Sequence, residues 1–131
     1  MWAALLLTAD HAARWAEISG IAAVLGHTFP VWTRFRGGKG VATGIGALTA
    51  LSPAIALGVL VVWSTVLVAF RYVSLASLVA AAALPIAVFV VGRPPIHAFA
   101  VIVAAAIGIR HHDNIRRLLS GTESPIGRRA G

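Results

Sequence analysis

Two polar segments of this largely apolar sequence contain the residues whose types and spacing could do chemistry. The first, RFRGGKGVATGIG (residues 34–46), sets glycines and a lysine directly before an apolar run. Glycine adopts positive φ at little steric cost and leaves backbone N–H groups uncovered, and the N-terminus of a following helix is positively polarised. A cradle for an anion such as a phosphate is therefore predicted at Gly37, Gly38, Lys39, Gly40 and Thr43.

Two other interpretations of this loop have to be weighed. A nucleotide P-loop needs a glycine five positions before its Gly-Lys pair and a serine or threonine directly after it. Those positions hold Thr33 and Gly40, so the P-loop is excluded. A flexible membrane-surface loop with an interfacial lysine explains the same composition without a ligand, and the loop alone does not exclude it.

The second segment is RHHDNIRRLLSGTE (residues 110–123). His111 and Asn114 are three residues apart and share a helix face, so an imidazole and an amide there could position a polar substrate. His111, His112 and Asp113 could instead bind a metal, although adjacent side chains point in different directions. A basic amphipathic tail resting on anionic lipid headgroups is the third interpretation.

Three further polar residues give weaker signals. His27 lies near a helix end, where interfacial or capping histidines are common. Ser74 lies at the start of a helix, where capping explains it well. Ser77 is one turn further along, where it could either bind an anion or hydrogen-bond back to its own helix.

The elements that must position these residues are membrane helices. The 131 residues are 59% hydrophobic and 11% charged, whereas soluble domains are about half apolar and about a quarter charged. The formal charge of +7 resides in short basic clusters between apolar runs, which is typical of cytoplasmic membrane loops and argues against nucleic acid as a partner. The chain has no cysteine, so disulfides and thiolate metal sites are excluded.

The apolar runs predict an all-α, polytopic membrane bundle with about five full or partial spans. Trp2–Thr8 is too short to span and is predicted to be the remnant of a further helix. A polar stretch at residues 10–17 separates it from the run that begins at Ile18, and a later apolar run covers Leu75–Val91. The proline in LSP (residues 51–53) predicts a break between a short helix, Val41–Leu51, and Pro53–Phe70. Four crossings then put the basic clusters near residues 34–39, 71 and 110–117 on one side, as the positive-inside rule favours.

Four stretches together resemble a known family, the bacterial acyl-phosphate–glycerol-3-phosphate acyltransferases (PlsY). They are GHTFPVWTRFRGGKGVATGIG from Gly26, ALSP from Ala50, RYVSLASL from Arg71 and RHHDNIRRLLSGTE from Arg110. The resemblance runs over nearly the whole chain in the same order and spacing. It implies one transmembrane acyltransferase domain over residues 1–131.

The resemblance implies transfer of a fatty acyl group from acyl phosphate to the sn-1 hydroxyl of glycerol 3-phosphate, without cofactor or metal. The products are lysophosphatidate and phosphate, at the first acylation step of phospholipid synthesis. The implied catalytic residues are His111, Asn114 and Lys39; those implied for the glycerol phosphate are Gly37, Gly38, Lys39, Gly40, Thr43 and Ser77; those with supporting roles are His27, Arg71 and Glu123. The proton acceptor stays open between His111 and a substrate phosphate oxygen.

The resemblance also implies a bacterial inner-membrane location, active-site loops facing the cytoplasm, and functional coupling to an enzyme that produces acyl phosphate. The family's N-terminal motif, a loop with a serine and arginines, has no match here. The sequence is therefore expected to be a C-terminal portion that is inactive and poorly packed alone. A small transporter or channel for an anionic phosphate-bearing solute is the alternative function, because broken helices and a positive loop suit that class too.

Overall fold

A computed structural model of the chain describes residues 9–34 and 37–127, and within these residues every regular element is helical. The α-helices are α1 (Ala9–Thr28), α2 (Val41–Leu51), α3 (Pro53–Phe70), α4 (Val73–Val91), α5 (His97–Arg110) and α6 (His112–Leu119), with 3₁₀ turns at Val31–Thr33 and Pro94–Ile96. The predicted all-α bundle is confirmed, and α1–α5 supply the expected five full or partial spans.

The break between α2 and α3 occurs where the proline predicts it. Ser52 is extended, with φ −159° and ψ 90°, and Pro53 occupies the first position of α3. Proline suits that position because its missing N–H would have no helical partner there. The eleven residues of α2 rise only about 16 Å, so α2 is half a span that ends inside the bundle.

The helices pack as neighbours around one apolar core. α1 contacts α2 and α5, α3 contacts α2 and α4, and α4 also contacts α5. The best buried large side chains include Phe99, Leu48, Val24 and Val103. Small residues allow close approach: a Cβ on Gly44 would lie 3.3 Å from Val103 of α5.

The outer faces of the long helices are apolar. α3 and α4 are long and apolar enough to cross a membrane by length and composition. Val68 on α3 and Val90 on α4 are about four-fifths exposed (81% and 80%). A continuous apolar surface of this kind is unfavourable in water and suits contact with lipid.

Two details differ from the sequence-based expectation. The polar stretch at residues 10–17 precedes no separate helix but forms the first half of α1. Its Glu17 carboxylate accepts a hydrogen bond of 2.9 Å from the N–H of Phe99, in the first turn of α5, where helix N–H groups lack an intrahelical partner. α4 begins at Val73 rather than Leu75. The stretch Trp2–Thr8 lies outside the described residues.

Candidate active site

Residues from both polar segments, Lys39 and Gly40 of the first and His111, Asn114 and Glu123 of the second, converge at one end of the bundle around a cavity of about 620 Å³, which Gly37 and Gly38 do not line. Its polar end is lined by His27, Lys39, Gly40, Ser74, Ser77, His111, Asn114, Glu123 and Ser124. The loop before α2, the turn between α3 and α4, and the segment around α6 therefore lie on the same side. This arrangement agrees with the predicted four crossings between the basic clusters.

A chain of hydrogen bonds joins the polar end. The Lys39 Nζ donates to Asn114 Oδ1 at 2.7 Å, and Asn114 Nδ2 donates to Glu123 Oε1 at 2.7 Å. The Asn114 amide is buried, and both of its ends are used. An ammonium carries three donors, so Lys39 keeps two for a ligand.

Glu123 is the centre of this network. Its Oε1 also accepts from Ser74 Oγ at 2.7 Å, and its Oε2 accepts from Arg117 Nε at 2.6 Å. Burial alone would raise the pKa of the Glu123 carboxyl, but hydrogen bonds from Ser74, Asn114 and Arg117 outweigh it and lower the pKa to about 2. The carboxylate is thus ionised at neutral pH and holds three segments together.

Ser74 does not cap its helix as expected from the sequence. The residue preceding α4 is Tyr72, which makes no side-chain cap, and the Ser74 hydroxyl is directed to Glu123 instead. A hydrogen bond from a hydroxyl to an ionised carboxylate is stronger than one between two neutral groups. The sequence gives no sign of this contact because the two residues are 49 positions apart.

Arg110 fastens the glycine loop, a role that the sequence analysis did not assign to it. Its Nη2 donates to the carbonyl of Gly37 at 2.6 Å, and its Nε to the carbonyl of Gly38 at 3.4 Å. The guanidinium also lies 5.9 Å from the centre of the Phe29 ring. A planar guanidinium can hold two carbonyls at once, which lysine cannot do with the same geometry.

Positive φ, which glycine adopts at little steric cost, is found at Gly40, with φ 77°. The Gly38 N–H donates to the carbonyl of His27 at 3.2 Å, so it is not uncovered. A Cβ on Gly37 would overlap the backbone of α1, and one on Gly38 would overlap the His27 ring. Gly37 and Gly38 are therefore required for close packing of the loop against α1.

Gly40 forms the junction between the loop and α2. A Cβ there would lie 2.7 Å from Thr28 Oγ1. Thr28 is fully buried, and its hydroxyl has no hydrogen-bond partner within residues 9–34 and 37–127. Gly40 thus has a left-handed backbone conformation directly before α2 and also lies in close contact with Thr28.

His111 lines the cavity between Lys39 and α5 and is buried. Its Nδ1 lies 2.8 Å from the carbonyl of Ile107. A carbonyl can only accept, so Nδ1 carries the proton and Nε2 keeps the lone pair in the neutral ring. Burial lowers the pKa of His111, as does the Lys39 ammonium, which favours that neutral form.

Ser77 also lines the cavity, where it accepts a hydrogen bond of 3.2 Å from the indole N–H of Trp63. No hydrogen bond from the Ser77 hydroxyl back to its own helix is found among residues 9–34 and 37–127. Thr43 and Arg71, by contrast, do not line the cavity. Arg71 contacts the C-terminal segment instead.

The metal interpretation of His111, His112 and Asp113 finds no support among the described residues, where no group of three such ligands comes together. The His112 Nε2 faces the Asp113 carboxylate at 3.1 Å on the exposed side of α6. His111 points inward to the carbonyl of Ile107.

Beyond its polar end, the cavity is apolar. Its walls come from four helices, and the side chains that line this part include Ile45, Leu48, Val59, Leu60, Trp63, Ala80, Ala81, Leu84, Val103 and Ile107. Ala80 and Ala81 leave space that larger residues would fill. The cavity is thus amphiphilic, with one polar end that carries the Lys39 ammonium and an apolar body.

Comparison with known proteins identifies the family to which the chain is similar. The family model described as glycerol-3-phosphate acyltransferase matches residues 1–121. Glycerol-3-phosphate acyltransferases of Mesorhizobium japonicum and Rhizobium meliloti are 45% and 50% identical, over 95% and 83% of this chain. The chain spans 64% and 54% of the length of these two curated relatives.

A solved structure is similar as well. The crystal structure of PlsY, an integral membrane glycerol 3-phosphate acyltransferase in its glycerol 3-phosphate form, superposes with a TM-score of 0.81 at 44% identity. The match covers 85% of this chain and 56% of that one. From the family match over nearly the whole chain, this protein belongs to the glycerol-3-phosphate acyltransferase family of integral membrane proteins.

Proposed function

We propose that this chain forms the substrate cavity of an enzyme that transfers a fatty acyl group from acyl phosphate to the sn-1 hydroxyl of glycerol 3-phosphate. The products are lysophosphatidate and inorganic phosphate, and the step is the first acylation in bacterial phospholipid synthesis. The observation that carries the proposal is the amphiphilic cavity. Its polar end, which carries the Lys39 ammonium, suits phosphate groups, and its apolar body suits a fatty acyl chain.

Charge supports the assignment of the polar end to phosphate. Lys39 and Glu123 line that end, and Arg117 and Arg110 are bonded to Glu123 and to the glycine loop beside it. Cations fixed before the substrates bind favour the approach of two phosphate-bearing molecules, which would otherwise repel each other. In this proposal Lys39 contacts the glycerol phosphate, and Gly40 and Ser77 form the wall beside it. Gly37 and Gly38 act through the shape of the loop.

The reaction needs positioning more than a nucleophilic side chain. Acyl phosphate is a mixed anhydride and is already activated, so the glycerol hydroxyl oxygen attacks the acyl carbon directly. The new ester C–O bond forms, the bond from the acyl carbon to the phosphate oxygen breaks, and phosphate leaves with the electron pair. Fixing two reactants in this way is worth up to about 7–11 kcal/mol of the barrier.

His111 and Asn114 are proposed to orient the attacking hydroxyl and the ester that forms. With Nδ1 held by Ile107, the lone pair of His111 Nε2 can accept the hydrogen bond of the hydroxyl. The proton then ends on this nitrogen or on a phosphate oxygen of the donor. A His111→Gln variant separates the two routes: loss of the lower limb of the pH–rate profile supports the histidine.

The same arrangement supports a proposal for location and partners. Lys39, Arg71 and Arg110 share one end of the bundle, so we place that end at the cytoplasmic face of the bacterial inner membrane, following the positive-inside rule. Donor and glycerol phosphate would enter there. Functional coupling to an enzyme that produces acyl phosphate would supply the donor.

The test is product formation. Membranes containing this chain, and in parallel a version extended upstream to the length of its relatives, receive acyl phosphate and radiolabelled glycerol 3-phosphate. Labelled lysophosphatidate in either sample, absent from empty membranes, supports the proposal. Binding of glycerol 3-phosphate without product in both would contradict it and favour an anion transporter.

A further inference from the structure

The segment after α6, residues 122–127, crosses from the end of α6 to the turn between α3 and α4, and is called the C-terminal strap below. Gly121, at φ 70°, ends α6, and the N–H of Thr122 returns to the carbonyl of Arg117 at 2.8 Å. This is the usual close of a helix by a left-handed glycine. The strap therefore leaves α6 in a defined direction.

The strap is fixed at its beginning by Glu123. That carboxylate accepts from Ser74 of α4 and from Asn114 and Arg117 of α6. The adjoining Ser124 lines the cavity. The strap thus forms part of the wall beside Lys39.

Three residues later, the strap is fixed a second time, at Arg71. The N–H of Ile126 donates to the Arg71 carbonyl at 2.8 Å, and Arg71 Nη2 donates to the Ile126 carbonyl at 2.9 Å. Arg71 has φ 63°, a left-handed conformation that is uncommon outside glycine. In this conformation both its carbonyl and its side chain contact Ile126. Gly127 lies so close that its Cβ would be 2.8 Å from Arg71 Nη2.

We propose that Arg71 is a positioning residue for the reaction, which acts by holding the C-terminal strap so that Glu123 keeps Asn114 and Lys39 in place. Arg71 does not line the cavity itself, and its effect passes through Ile126, Glu123 and Asn114 in turn. This inference rests on the proposed function for its kinetic consequence, while the anchoring contact is independent of it.

An arginine at the end of a membrane helix could instead only contact lipid headgroups. The chain offers a matched control for that explanation. Arg116 has the same charge, lies exposed on α6, and no side-chain hydrogen bond or ion pair of it is found among the described residues. A headgroup role predicts similar effects for Arg71→Ala and Arg116→Ala, whereas anchoring predicts an effect of Arg71→Ala alone.

The experiment uses the cysteine-free background of the chain. Ser124→Cys carries a nitroxide spin label, and its spectrum is recorded in detergent for the otherwise unmodified protein and after adding Arg71→Ala or Arg116→Ala. We expect narrower, more mobile lines only with Arg71→Ala. Unchanged lines in that variant overturn the anchoring role.

Kinetics of the unlabelled variants, in the form that makes product, decide the positioning role. Arg71→Ala should raise KM for glycerol 3-phosphate about fivefold, as for the loss of one hydrogen bond, with a smaller change in kcat and none in Arg116→Ala. If Arg71→Ala gives mobile spectral lines but an unchanged KM, Arg71 holds the strap without affecting the reaction, and the positioning role is overturned. Absence of product from every form would refute the proposed function, while the spectra would still decide whether Arg71 holds the strap.

Discussion

The two ends of the cavity are built in different ways. The polar end is assembled from side chains that are far apart in sequence and joined by single directional bonds, such as Lys39 to Asn114 across 75 positions. The apolar body is built from regularly spaced residues on helix faces, for example Ala80, Ala81 and Leu84 on α4. Single substitutions should therefore have large effects at the polar end and graded effects in the body.

Removal of the Lys39 ammonium should have the largest effect. Lys39→Ala deletes the cation nearest the proposed phosphate position and leaves Asn114 Oδ1 without its donor. We expect kcat/KM for glycerol 3-phosphate to fall about 100- to 1,000-fold, the range for loss of one preorganised donor in an active site. Initial rates at varied glycerol 3-phosphate measure this. Arg93→Ala is the control, because Arg93 follows the end of α4 that lies away from Ser74 and Ser77. Unchanged kinetics in Lys39→Ala would contradict the phosphate-cradle hypothesis.

Glu123 should link stability to pH. Its pKa is lowered from 4.5 to about 2 in the folded protein, which corresponds to at most about 3 kcal/mol of stabilisation, reduced by solvent screening at this partly exposed end. Because the folded pKa is the lower one, this stabilisation is present above pH 4.5 and is lost as the pH falls towards 2. Thermal unfolding in detergent between pH 2 and 7 should show this loss.

Glu123→Gln should unfold at lower temperature at pH 7 and should lack most of that pH dependence. The matched control is Asp113→Asn, since Asp113 is a largely exposed carboxylate on α6, with 62% of its side chain accessible. Exposed pairs contribute about 0–1 kcal/mol. Equal pH dependence in the Gln variant and the unmodified protein would show that another carboxyl is responsible.

A substitution at Gly40 tests the junction between the glycine loop and α2, the helix that supplies Ile45 and Leu48 to the apolar body. Gly40→Ala places a Cβ at φ 77° and within 2.7 Å of Thr28 Oγ1, which should destabilise the protein by about 2 kcal/mol. Gly46→Ala, in the same helix, meets no atom within 4 Å and should be neutral or stabilise by up to about 1 kcal/mol. Unfolding temperatures compare the two variants. Similar values for both would contradict the close contact at Gly40.

The sequence predicted helices better than it predicted contacts. The proline break between α2 and α3 was located to the residue, because proline acts on its own backbone. The membrane helices followed from continuous apolar runs. The extension of α1 through residues 10–17 was missed, because Glu17 is satisfied by the distant N–H of Phe99, which local patterns cannot show.

The same limit applies to the site. The residue types at Lys39, His111 and Asn114 indicated polar chemistry, and the structure brings them together around one cavity. The role of Arg110 on the loop carbonyls, and the partner of Ser74, depend on tertiary contacts. The close packing of Gly37 and Gly38 against α1, where a Cβ on either would overlap other atoms, likewise depends on tertiary contacts that the sequence does not show.

In the apolar body, Ala81 tests whether the acyl chain lies there. Ala81 is buried, lines the cavity, and is followed one turn later by Leu84. Ala81→Leu fills part of the apolar body and displaces methylene groups of a long acyl chain. Each displaced methylene should cost the donor about 0.8 kcal/mol of binding free energy, which is roughly fourfold in rate. Rates with acyl phosphates of increasing chain length should shift in favour of shorter donors. An equal decrease for all lengths would mean that the chain lies elsewhere.

Another small effect is expected where the two ends meet. Trp63 belongs to the apolar wall, but its indole N–H donates to Ser77 at 3.2 Å. A serine that accepts this bond keeps its own O–H to donate towards the cavity. Trp63→Phe should raise KM for glycerol 3-phosphate about fivefold, near 1 kcal/mol. Added to Ser77→Ala, it should cost much less than it does alone, because the contact is already lost. Full additivity of the two substitutions would mean that Trp63 acts only by filling the apolar body. Ser77 would then belong to the polar end without help from the apolar wall.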